Sequence, residues 1–146
     1  MREAKRFRKV LQGLEGVTVW VHNLKEDAVS DGLSRQHLQD EATIRILDSG
    51  IKALSVGNVP EPLGNPWLNI FIDTLKGGQV YYYSVTVRLD EIVRPVRNQQ
   101  IKTVASTWES VVRGVVQKEQ MPKIVEKNMD NLIDYFIYDY WQENNY

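Results

Sequence analysis

Residues 67–93, WLNIFIDTLKGGQVYYYSVTVRLDEIV, constrain this chain more than any other stretch. Apolar and polar residues alternate on both sides of a Gly-Gly pair. That is the pattern of two strands, each with one buried face, joined by a tight hairpin. Lys76-Gly77-Gly78-Gln79 fits a two-residue turn, since glycine accepts the positive φ such turns need. With Lys76 opposite Gln79, Ile72 faces Tyr83, Ile70 faces Val85 and Leu68 faces Val87. The other face then pairs Asp73 with Tyr82, Phe71 with Ser84, Asn69 with Thr86 and Trp67 with Arg88. A one-residue slip would mix apolar and polar sets, so the pleat decides which side is buried. Of the three consecutive tyrosines, Tyr81 and Tyr83 are expected on the core face and Tyr82 on the other.

The next stretch, IKTVASTWESVVRGVV at 101–116, fits two periods. Val104, Trp108, Val111, Val112 and Val115 match a helix, while Val104, Trp108, Val112 and Val116 share one side of a strand. β-Branched residues dominate, which favours the strand. Setting Val87 opposite Trp108 brings Tyr83 to Val112 and Glu91 to Val104. The small residues Ser106, Ser110 and Gly114 then lie beside Leu89, Val85 and Tyr81, leaving room for helices to pack.

Earlier in the chain, residues 17–24 alternate and read as a strand, and KEDAVSDG reads as a polar loop. A helix follows, with Ser34 as N-cap, Leu33 and Leu38 as the staple pair, and Leu38, Ala42, Ile46 and Leu47 as its apolar stripe. Gly50 suits its C′ position. IKALSV at 51–56 is a short strand, and the proline-rich GNVPEPLGNP is a loop. From Pro122 a long helix carries Ile124, Val125, Met129, Leu132, Ile133, Phe136, Ile137, Tyr140 and Trp141 at helical spacing. The basic start MREAKRFRKVLQG reads as a short helix with Phe7, Val10, Leu11 and Leu14 turned inward. The expectation is one α+β domain over residues 1–146, in the order β-α-β-β-β-β-α. An antiparallel-dominated sheet of about five strands carries two longer helices on one face, plus a short N-terminal helix. The first two strands are expected to be parallel, joined through the first long helix.

Several chemistries are disfavoured. There is no cysteine, which removes disulfides, thiolate metal ligands and thiol catalysis. The net charge of −1 offers no overall basic footprint for nucleic acid. The two histidines, His22 and His37, fall in different elements outside HxH or HExxH spacing, so no metal or cofactor is expected. Asp90 and Glu91 should point to opposite faces, with Glu91 on the core side near a strand end. Ser106 and Ser110 flank Trp108 but form no nucleophile elbow. Prolines strip backbone donors from GNVPEPLGNP, which argues against a phosphate loop. Arg94, Arg97 and Lys102 read as a solvated hairpin tip, and Asp134, Asp139 and Glu143 as a solvated helix face, with Asp139 suited to a structural hydrogen bond. No catalytic set is expected.

Thr107, Trp108 and Gly114 in STWESVVRGVV, with Phe136, Ile137, Asp139, Tyr140 and Asn144 in LIDYFIYDYWQENN, form a recurring pattern. Together with GL at 32–33 and LDSGI at 47–51, it resembles small secreted bacterial proteins of uncharacterised function. The resemblance implies a helix-on-sheet fold and a periplasmic or cell-envelope location, similar to small lipoprotein domains. The basic N-terminal segment is followed by no apolar stretch, so export and any lipid anchor are expected to depend on an upstream leader; otherwise the location is cytoplasmic.

The second face of the sheet is expected to be an interaction surface for a protein partner or a second copy. It gathers Trp20, His22, Trp67, Phe71, Tyr82, Arg88, Glu109 and Arg113, rich in the aromatic and arginine side chains that dominate binding hot spots. Register places Trp67, Arg88 and Thr107 in one row, with an Arg88–Trp67 cation–π contact. The alternative function is an enzyme or small-ligand carrier built on the loop-rich end near residues 57–66.

Overall fold

The computed structural model describes residues 5–54 and 66–144, with side chains from residue 8 onward. The strands are β1 (Gly16–Val21), β2 (Lys52–Ala53), β3 (Trp67–Gly77), β4 (Val80–Val93) and β5 (Thr103–Gln117). The helices are α1 (Glu26–Ser30), α2 (Arg35–Asp48) and α3 (Met121–Asn144), preceded by a 3-10 helix at Lys5–Leu11. One five-stranded sheet runs in the order β2–β1–β3–β4–β5. The β3–β4 and β4–β5 pairs are antiparallel, whereas β1 is parallel to both neighbours. The fold is therefore α+β, on a mostly antiparallel mixed sheet.

Both hairpin registers sit two residues from the expected ones. Gly77 pairs with Val80, so the turn residues are Gly78 and Gln79, and Gly78 carries the positive φ of 66°. Only one glycine is needed for that angle, and Gly77 instead extends β3. Ile72 now faces Val85, Ile70 faces Val87 and Leu68 faces Leu89. An offset of two keeps every side chain of β3 and β4 on its expected face: Tyr81 is fully buried, Tyr83 half-buried and Tyr82 exposed. Likewise Leu89 faces Trp108, Val85 faces Val112 and Tyr83 faces Gly114. A Cβ at Gly114 would lie 2.5 Å from the Tyr83 hydroxyl, so the glycine makes room for that ring. A bulge then pairs Asp90 with Ser106 and Glu91 with Ala105, leaving Thr107 as the extra residue and turning Ser106 and Val104, expected on the core side, to the other face.

The core lies on one side of the sheet. Val17, Val19 and Val21 from β1, Leu68, Ile70 and Ile72 from β3, and Tyr81, Val85, Val87 and Leu89 from β4 meet the two long helices. Helix α3 buries Met121, Val125, Met129, Leu132, Ile133, Phe136 and Tyr140, each burial stabilising by about 1.5–3 kcal/mol. Trp108 from β5 packs edge-on against Phe136 at 5.2 Å and donates its indole N–H to Asp139 Oδ2 at 3.0 Å. Helix α2 is capped by Ser34, whose Oγ accepts from the His37 N–H at 3.1 Å. Leu38, Ala42 and Ile46 form its buried line, while Leu47, expected in the stripe, lies one position round the helix and is exposed.

Two segments differ from expectation. The polar stretch after β1 folds as α1, because Ala28 is buried and the Tyr81 hydroxyl donates to the Asp27 carbonyl and the Asp31 carboxylate. Lys76 and Tyr81 hold the Asp31 carboxyl below its ordinary value, and burial followed by Asp31 pushes the Tyr81 phenol up. The N-terminal segment is a 3-10 helix, whose three-residue turn turns Leu11 inward and Val10 outward; the Phe7 side chain lies outside the described residues. Asn144 clasps this segment, accepting from the Gly13 N–H and donating to the Leu11 carbonyl, both at 2.8 Å. Arg8 Nε donates to Glu143 at 2.9 Å, which makes Glu143 a nearly buried ion-pair partner and not a solvated acid.

Candidate functional site: the open face of the sheet

No described element covers the second face of β1, β3, β4 and β5. Strand alternation brings Trp20, His22, Trp67, Phe71, Tyr82, Arg88, Glu109 and Arg113 to it together. The observed rows are Trp67–Asp90–Ser106, Asn69–Arg88–Glu109, Phe71–Thr86–Val111, Asp73–Ser84–Arg113 and Leu75–Tyr82–Val115. The row expected to hold Trp67, Arg88 and Thr107 is thus replaced, and Thr107 is the bulge residue.

The two-residue offset also changes the cation–π partner. The Arg88 guanidinium lies 4.5 Å from the Phe71 ring centre, not over Trp67. His22 stacks on Phe71 at 4.1 Å with planes 16° apart. Phe71 thus has an imidazole and a guanidinium as neighbours. Arg35 from α2 reaches round the sheet and covers Trp20 at 4.5 Å.

Beneath these rings runs a hydrogen-bonded chain centred on Asp90, only 7% exposed. Its carboxylate accepts from Asn69 Nδ2 at 2.6 Å, from Arg88 Nε at 3.0 Å, and from the Ser106 hydroxyl. Burial alone would raise the Asp90 pKa, but the bonds from Ser106, Arg88 and Asn69 outweigh it and hold the carboxyl below its ordinary value. Asn69 spends its amide nitrogen on Asp90, so its Oδ1 faces His22 Nε2 at 3.0 Å. His22 Nε2 therefore carries the proton in this arrangement. No pattern in the sequence announces this network. His22, Asn69 and Ser106 lie far from Arg88 and Asp90 along the chain, and only the true register sets Asn69 beside Arg88.

The chemistry of the network is that of a brace. Ser106 is bonded to Asp90, a carboxylate held ionised and so a weak base, and no imidazole reaches its hydroxyl. At the sheet end, Val10, Leu14, Gly16, Leu54, Pro66 and Glu91 line a cleft of about 120 Å³. That is below the ~300–1,000 Å³ typical of small-molecule sites. Of the loop at 57–66 only Pro66 lies within the described residues. Arg94, at the basic tip, donates to its own hairpin at Gln99 O (2.9 Å), as a solvated turn does.

Among the described residues one carboxylate group has cation-compatible spacing: Glu41, Glu126 and Asp130, with donor atoms within 4.8 Å of one another. It lies between α2 and α3, where Arg45 sits 3.4 Å from Glu41 and 3.7 Å from Asp130 and supplies the counter-charge. His37 meets Glu126 at 3.0 Å on the same seam. Burial, opposed by Arg45 and reinforced by Glu41 and Glu126, pushes Asp130 up to about 7.

The free edge of β1 is closed by a side chain. Gln39 accepts from the Val21 N–H at 2.8 Å and donates to the Val19 carbonyl at 2.9 Å, as a neighbouring strand would. Arg35 Nε donates to the Val21 carbonyl at 2.7 Å. No helix among the described residues is long and apolar enough to cross a membrane. No protein-family model, no curated protein and no solved structure matches this chain.

Proposed function

We propose that this chain is a non-enzymatic, protein-binding domain of the bacterial cell envelope, and that its partner docks on the open sheet face. The carrying observation is the braced aromatic and cationic surface itself. His22, Phe71 and Arg88 are stacked, and the Asp90 network holds His22 and Arg88 from below. Side chains ordered in advance lose little entropy on binding, which favours affinity. Beyond the row of Asp73, Ser84 and Arg113, the row Leu75, Tyr82 and Val115 is 63%, 52% and 60% exposed. A contiguous apolar row beside aromatics and arginine has the composition of an interface centre with a polar rim. A second copy meeting face to face is the homotypic form of the same reading. The envelope location rests on the resemblance carried by Thr107, Trp108 and the α3 terminus, and cell fractionation checks it.

The test places a photo-crosslinking amino acid at Tyr82 in one variant and at Tyr138, on the helix layer, in another. A discrete adduct from position 82 and none from 138 is expected. Replacing Trp20 by Ser should abolish the adduct while the thermal transition stays in place. Equal labelling from both positions, or an adduct indifferent to Trp20, would overturn the reading.

A further inference from the structure

The two edges of the sheet are treated differently. At one, β2 spans two residues and Gln39 closes the rest of β1. At the other, β5 runs for 15 residues with no strand beyond it among the described residues. Unpaired backbone N–H and C=O groups on a long edge are a template for another strand, and proteins usually blunt them with proline, lysine or inward charge. β5 contains no proline and no lysine, and its charged residues are Glu109 and Arg113. Neither makes an ion pair or a side-chain hydrogen bond among the described residues.

These two residues select a register. A two-fold axis perpendicular to the sheet keeps each copy's open face on the same side, so paired residues must share a face. Centring the axis on Glu109 sets glutamate against glutamate, and centring it on Arg113 sets arginine against arginine. Centring it on Val111 sets Glu109 of each copy opposite Arg113 of the other, with the two Val111 side chains touching between them. Like charges directly opposed in a sheet are destabilising and opposite charges stabilising, so only the Val111 register satisfies both pairs.

We propose that this protein forms a homodimer through antiparallel pairing of β5 with β5 about Val111, continuing the sheet across two copies. The pairing uses a strand edge and stands independently of what binds the open face.

The experiment measures solution mass by sedimentation for the unaltered chain and two variants, Glu109→Arg and Arg113→Glu. The unaltered chain is expected at twice 16.9 kDa. Each variant opposes like charges at both contacts and should weaken the dimer by roughly ten-fold or more. Mixing the two variants restores both opposite-charge pairs and should restore the dimer. As a second readout, the chain lacks cysteine, so Val111→Cys has one thiol per copy, across the axis from its twin. Added oxidant should link it into a covalent dimer, whereas Val115→Cys, opposite Thr107 in this register, should stay single. A monomer at the highest soluble concentration overturns the proposal. So does a dimer that both charge variants retain, or a Val115→Cys chain that links as readily as Val111→Cys.

Discussion

Asp90 shows how one residue converts a sheet face into a fixed surface. It satisfies Asn69, Arg88 and Ser106 at once, and through Asn69 it sets the protonated nitrogen of His22. Replacing Asp90 by Ala strands those donors on the half-buried face. Unfolding free energy should fall by about 1–3 kcal/mol in denaturant titration, and His22 ring resonances should shift. The pH dependence has a definite sign. The folded carboxyl binds its proton more weakly than the unfolded one, so its contribution is present above the ordinary value of 3.8. That contribution is lost as pH falls through the lower folded value, and the Asp90→Ala chain should lack this part of the acid loss. At this scale the sequence was partly legible. Asp139 could be singled out for a structural hydrogen bond, but on a solvated helix face; the structure instead buries it, as the acceptor of the Trp108 indole N–H. The Asp90 network could not be singled out, because hydrogen bonds between neighbouring strands depend on register, and alternation leaves shifts of two residues undetermined.

Elements carry the next set of consequences. The edge of β1 depends on Gln39, a residue of α2 that sequence periodicity reads as ordinary helix surface. Gln39→Met keeps the length but leaves the Val21 N–H and Val19 carbonyl unpaired. A loss of about 1–3 kcal/mol is expected, with faster amide exchange at Val21. The seam between α2 and α3 behaves oppositely to Asp90 with pH. Asp130 is raised from 3.8 to about 7, so between those values the folded chain holds a proton that the unfolded chain has released. Stability from this group is full at the acid end and declines as pH rises toward about 7. Asp130→Asn should flatten that slope and raise the melting temperature at pH 8 relative to the unaltered chain. Strand existence was legible because β-branched alternation is strong in β3, β4 and β5. Helix α1 was not, since five residues with only Ala28 and Val29 apolar fold as a helix through Ala28 burial and the Tyr81 phenol.

At the scale of the whole molecule, the α+β class and the single helical layer follow from one apolar face per strand. The parallel pairing of β1 with β2 through α2 follows as a crossover, but the parallel pairing of β1 with β3 does not, because these neighbours share no turn whose residues could announce them. The clasp by which Asn144 holds Leu11 and Gly13 has a consequence for synthesis. The 3-10 helix leaves the ribosome long before its anchor, which is translated at sequence separations of 131 and 133. β3, β4 and β5 can zip locally as soon as their turns emerge, but their apolar face stays uncovered until α3 is complete. The nascent chain therefore passes through a stage in which a sheet is formed and its inner side is bare, a species that a holding chaperone would recognise. Emergence of α3 then closes the core and the 3-10 segment in one event.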